Sequence, residues 1–195
     1  MGWFFYTERV DFLLNRRRGV NENIHAEAVK KNSFVLGYIC DQTEDVCLEV
    51  VSNDGWMIRY VNNKTEPLCI AAVMQNGHSI RFIEEQTEKM CLEAVKQAPR
   101  SIRYCKIQTP EICLEAVKRE GQCLMYVENQ TEKICIAAVK DEPYALGYVK
   151  VQTEKICLAA VKKNGLAIDL VKDKTPKIIE AASVAPKIIN KRDYL

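Results

Sequence analysis

Histidine is scarce in this chain: His25 and His78 are the only two among 195 residues. Neither stands beside a nucleophile or a carboxylate at a spacing that would make it a catalytic base. Glycine is sparse too, eight in all, and no glycine-rich loop of the kind that cradles phosphate is present. The nine cysteines lack the two- to four-residue pairing that zinc sites use. With no catalytic, cofactor-binding or metal-ligating constellation in sight, the expectation is a protein that is not an enzyme and carries no cofactor or metal.

Long apolar runs are missing as well, and no stretch approaches the roughly 20 residues of a membrane span. Trp3-Phe4-Phe5-Tyr6 is too short for a secretory leader, and charges follow at once. Tyr6 stands where a myristoylation signal beginning at Gly2 needs Ser or Thr. An odd number of cysteines without a leader points to a reducing compartment, so a soluble, cytoplasmic protein with no membrane partner is expected. Nor does charge of one sign dominate: 28 basic groups face 26 acidic ones, for a net +2. Residues 1–20 and 175–195 each carry four basic and two acidic groups, which leaves 20 basic against 22 acidic between them. A faintly acidic body argues against wholesale wrapping of nucleic acid, which needs a clearly basic domain.

What the chain has is a period. Thr43, Thr65, Thr87, Thr109, Thr131, Thr153 and Thr175 recur every 22 residues, and a cysteine follows four residues after each of the first six: Cys47, Cys69, Cys91, Cys113, Cys135 and Cys157. A fixed period of this length is the signature of a solenoid array. Threonine is a preferred helix N-cap. Glu44, Glu66, Glu88, Glu132 and Glu154 follow it where the helix dipole favours an anion, and Pro110 and Pro176 take the one helical position proline likes. Ile112, Cys113, Ala116 and Val117 then mark a buried helical face. Gly55, Gly77, Gly121 and Gly165 are expected to end this helix as C-cap glycines, with Pro99 and Pro143 breaking it at the same place. A second, shorter helix follows. Its expected buried positions are Ile58, Ile80, Ile102, Leu124, Leu146 and Ile168, then the aromatics Tyr60, Phe82, Tyr104, Tyr126 and Tyr148, then Val61 and its equivalents.

Each unit is thus a minimal αα-hairpin, too small to bury its own face and stable only when stacked. The predicted fold is an all-α solenoid of short helix-turn-helix repeats. Residues 1–20 are expected to form an N-terminal capping helix or, alternatively, a partner-binding arm using Trp3, Phe4 and Phe5. Residues 21–174 make seven repeats, the first degenerate, with Asn21 and His25 in the threonine and cysteine slots. Residues 175–195 are a partial repeat and C-terminal cap. Equivalent cysteines of stacked units should lie about 9 Å apart, beyond the roughly 7 Å a disulfide spans, so the cysteine ladder is expected to pack as small hydrophobes.

The string Gln130-Thr131-Glu132-Lys133-Ile134-Cys135-Ile136-Ala137-Ala138-Val139-Lys140, closing on Gly147-Tyr148-Val149, resembles the "domain of unknown function" repeats abundant in giant DNA viruses of amoebae and found in some bacteria. The resemblance covers about residues 21–185. It implies a viral source, with action in the host cytoplasm or in a virion. It brings no catalytic residues with it.

Selectivity in a repeat array comes from positions allowed to differ. Arg59, Arg81 and Arg103 share one slot of the second helix, and Trp56, His78 and Arg100 share another, followed there by Gln122 and Tyr144. Met57 and Met125 lie nearby. Aromatics, methionine and arginine are enriched in interfaces, so Trp56, Arg59, His78, Arg81, Arg100 and Arg103 are the expected partner-binding residues, facing an unidentified protein with an acidic surface. The alternative is a nucleic-acid-binding solenoid that uses the arginine stripe. A structural virion component is a third possibility.

Overall fold

The computed structural model describes residues 22–188. The expected cap at residues 1–20, the end of the chain from 189, and the side chains of residues 22–26, His25 among them, lie outside the described residues. Within them are eight α-helices and seven 3-10 helices in strict alternation, and no strand. None of these helices is long and apolar enough to cross a membrane.

The α-helices begin where the threonines predict. Thr43, Thr87, Thr109, Thr131 and Thr153 accept the N–H of the residue three positions on, at 3.3–3.5 Å. Thr65 and Thr175 precede helices without that bond, and the Thr65 hydroxyl instead donates to Glu44 Oε1 at 2.9 Å. Each full helix runs ten residues. It buries the cysteine, the residue before it, and the residue pair three and four positions later, as in Ile134, Cys135, Ala138 and Val139.

One residue then ends the α-helix and starts the next element. The Asp54 N–H closes the α-helix on the Val50 carbonyl at 2.9 Å, while its side chain accepts from Trp56 N at 3.0 Å. Asn76 and Asn164 do the same. The second helix is a six-residue 3-10 helix rather than a short α-helix, as in Gly55–Tyr60. Its three-residue period aligns Gly55, Ile58 and Val61 on the buried side, and the same three slots are buried in most repeats, although Ser33, Pro99 and Ile168, the last expected in the core, are half-buried.

The glycines do not play the part expected of them. The α-helix C-caps are Asp54, Asn76, Glu120 and Asn164, all with extended backbone, and the glycine that follows opens the 3-10 helix. It is there because of close approach. A Cβ on Gly55, Gly77, Gly121 or Gly165 would sit 2.3, 2.2, 2.4 or 2.5 Å from the carbonyl oxygen of Ala72, Ala94, Ala138 or Ala182 in the next repeat.

The N–H of these glycines also needs an acceptor, and the next repeat supplies it. Gly55, Gly77 and Gly121 donate to Gln75 Oε1, Gln97 Oε1 and Asp141 Oδ2 at 2.7–2.8 Å. Where proline stands in the glycine slot there is no N–H to satisfy, and the partner slot changes to a cation: Arg119 for Pro99 and Lys163 for Pro143. Lys163 Nζ donates to the carbonyls of Lys140 and Asp141 instead. A second staple is the glutamine that closes most units, Lys64 and Lys174 taking its slot in the others. Gln130 Nε2 donates to the carbonyls of Leu124 and Tyr148 at 3.1 and 3.0 Å, and its oxygen accepts from Lys150 N at 2.9 Å. Gln42, Gln108 and Gln152 repeat that pattern.

The chain divides after Ala98 into two compact units. In the first, helices Glu44–Asn53, Glu66–Gln75 and Glu88–Gln97 pack in succession, with the 3-10 helices Ser33–Tyr38, Gly55–Tyr60 and Gly77–Phe82 forming a parallel row. In the second, helices Pro110–Arg119, Glu132–Asp141, Glu154–Lys163 and Pro176–Val184 do likewise beside their own row from Pro99–Tyr104 to Gly165–Leu170. The chain is an all-α solenoid of 22-residue helix pairs.

Candidate functional site

In a 3-10 helix, residues three apart lie on one edge. That geometry puts Trp56 with Arg59, His78 with Arg81, and Arg100 with Arg103, so the two variable slots share the outer edge of each second helix. Arg59, Arg81 and Arg103 are exposed, while Trp56 and His78 are half-buried.

The arginines are not loose. In the first unit the Arg59 guanidinium lies 4.8 Å from the centre of the Tyr60 ring and 5.8 Å from that of Phe82, one repeat on. Arg81 sits over Phe82 at 5.4 Å. Trp56 meets Phe82 edge to face at 5.5 Å, and Phe34 meets Tyr60 the same way at 6.2 Å. In the second unit Arg103 lies over Tyr104 at 4.8 Å and over Tyr126 at 5.6 Å. Each such contact is worth about 0.5–1 kcal/mol at an exposed site. Neither Arg59 nor Arg103 forms an ion pair among the described residues.

Arg100 differs. Its guanidinium is bound to the Glu120 carboxylate of the next repeat and reaches Gln122 Oε1 at 3.4 Å. The hydrogen bond and charge of Glu120 raise its pKa further above its ordinary value. It is engaged within the protein rather than presented.

Two expectations need correction. Tyr60, Phe82, Tyr104 and Tyr126 are not core residues but half-exposed ones, and Tyr148 is 41% exposed. Their slot adjoins the exposed arginine slot, and they belong to the surface strip with it. Met57, expected near the contact surface, is 1% exposed, in the slot that elsewhere holds Ser79, Ser101, Cys123, Ala145 and Ala167, all buried. Met125 is 50% exposed and continues the arginine slot, where Gly147 and Asp169 follow.

All nine cysteines are free; Cys40 is exposed and the others are buried. Burial raises the thiol pKa of Cys47, Cys69, Cys113, Cys135 and Cys157, and pushes that of Cys123 up to about 12. Among the described residues no group of three His, Cys, Asp or Glu side chains is placed to hold a metal ion.

No family model, no curated protein and no solved structure matches this chain.

Proposed function

We propose that the chain is a non-enzymatic repeat scaffold whose second-helix edge binds an acidic surface of a partner protein. The observation that carries this reading is the double stacking of Arg59 on Tyr60 and Phe82, matched by Arg103 on Tyr104 and Tyr126. A guanidinium held over two rings is preorganised, so less side-chain entropy is lost when a carboxylate arrives. The buried fold does not need these side chains, since Gly37, Met125, Gly147 and Asp169 fill the same slot. The alternative of single-stranded nucleic acid is less favoured. Base stacking needs open ring faces, and guanidinium groups lie over these. The resemblance to giant-virus repeats makes a host or viral protein the natural partner, in the cytoplasm of an infected cell or in the virion.

The test is affinity capture with crosslinking from cells expressing the full chain, read by mass spectrometry, beside the Arg59→Glu/Arg81→Glu/Arg103→Glu variant. The proposal expects a protein bearing an acidic patch that is captured by the wild type and lost from the variant. Nuclease-sensitive nucleic acid as the dominant captured species would overturn it.

A further inference from the structure

The α-helices of the second unit carry a groove distinct from the arginine strip. Leu114, Ile136 and Ala137 form its half-buried floor, and Lys118, Lys133, Lys140, Lys163 and Asp141 line the rest of a cavity of about 510 Å³. Ala137, on this floor, takes the slot that in Pro110–Arg119 holds Glu115.

The charge in this groove is one-sided. The Asp141 carboxylate already accepts from Gly121 N, and Lys163 donates to backbone carbonyls. Lys118, Lys133 and Lys140 are exposed and form no ion pair among the described residues. Lys118 and Lys140 stand in the last turn of their helices, where the dipole favours a cation. Lys133 does not: it is the second residue of Glu132–Asp141, where a cation is disfavoured. Packing does not demand these charges either, since the same slots of helices Glu44–Asn53 and Glu66–Gln75 hold Asp45, Ser52, Pro67 and Met74.

We propose that this groove docks an acidic amphipathic helix of a partner protein. Lys133 and Lys140 are seven residues apart on one helix, two turns or roughly 10.5 Å, with Ile136 and Ala137 between them. A helix laid alongside, with carboxylates at i and i+7 and apolar residues at i+3 and i+4, presents the complementary pattern at the same spacing. This is the helix-in-groove mode of recognition with charged borders. It uses α-helix side chains only, so it stands or falls apart from the arginine strip.

The test is fluorescence anisotropy of the full chain with a short labelled synthetic helix of glutamate at i and i+7 and leucine at i+3 and i+4. Saturable binding is expected, weakened roughly tenfold or more by Lys133→Glu/Lys140→Glu and clearly weakened by Ile136→Asn. Arg59→Glu/Arg103→Glu should leave it unchanged. Circular dichroism melts check each variant. If the charge-reversed pair does not fold, Lys133→Gln/Lys140→Gln replaces it and is expected to weaken binding severalfold. Three results would overturn the proposal: no binding, equal binding of a composition-matched peptide with the helical spacing scrambled, or lysine-dependent binding to anionic phospholipid vesicles in preference to the peptide.

Discussion

Gly77 and Ala94 stand so close across two repeats that a Cβ on Gly77 would lie 2.2 Å from the Ala94 carbonyl oxygen. Gly77→Ala must therefore push two helices apart and should destabilise by about 1–3 kcal/mol. Gly147 is the counter-case, since a Cβ there would meet nothing nearer than Leu170 at 3.9 Å. Gly147→Ala should raise stability by about 0.4–1 kcal/mol by restricting the unfolded chain. Urea unfolding of both variants checks the pair, and equal effects would refute the close-approach account.

Thr131 caps its helix by accepting from Ile134 N at 3.4 Å, whereas Thr65 makes no such bond. Thr131→Ala should cost on the order of 1 kcal/mol. Thr65→Ala should cost less, because it loses only an exposed bond to Glu44. Thermal melts giving the reverse order would show that capping does not set these helix starts.

The Ser79 and Ser101 hydroxyls are fully buried and have no hydrogen-bond partner. Leaving a buried hydroxyl unpaired costs roughly 1–3 kcal/mol. The same slot holds Ala145 and Ala167 in later repeats, so Ser79→Ala and Ser101→Ala should each be stabilising. A clear loss of stability in denaturant titration would mean that the hydroxyls have a role the packing does not reveal.

Burial, with Glu120 next in effect, pushes the Cys123 thiol from an ordinary 9.0 up to about 12. The folded protein then keeps a proton that the unfolded chain releases above pH 9, so stability falls as pH rises through that range and is insensitive to this group below it. Cys123→Ala should flatten the decline between pH 9 and about 12. Some slope should remain, because Cys47, Cys69 and Cys113 shift in the same direction. An unchanged melting-temperature profile would contradict the assignment.

The period and the helix starts were legible because threonine caps and the cysteine ladder are local signals that repeat without a slip. The 3-10 form of the second helix was not, since six residues are too few for spacing to separate a three-residue from a 3.6-residue period. The burial of Met57 and the half-exposure of Tyr60 and Phe82 were not legible either, because which side of so short a helix meets its neighbours is set by packing between repeats. Gly55 and its equivalents were misread because a C-cap and a close approach call for the same residue, and only the neighbouring repeat distinguishes them. The coupling of proline slots to cation slots, Pro143 with Lys163, is visible in the sequence but has meaning only once Gly121 N is seen donating to Asp141. The variable slots of Trp56 and Arg59 were found from variation alone, and the involvement of Arg100 with Glu120 could not be.

The central claim is that the arginines stacked on the aromatic row serve a partner and not the fold. The direct measurement is the affinity of the captured partner for Arg59→Glu/Arg81→Glu/Arg103→Glu, with the melting temperature taken on the same sample. The expected result is binding weakened by at least roughly tenfold, since several charge contacts reverse sign, with a melting temperature close to that of the wild type. Undiminished binding, or a melting temperature that collapses with it, would contradict the claim.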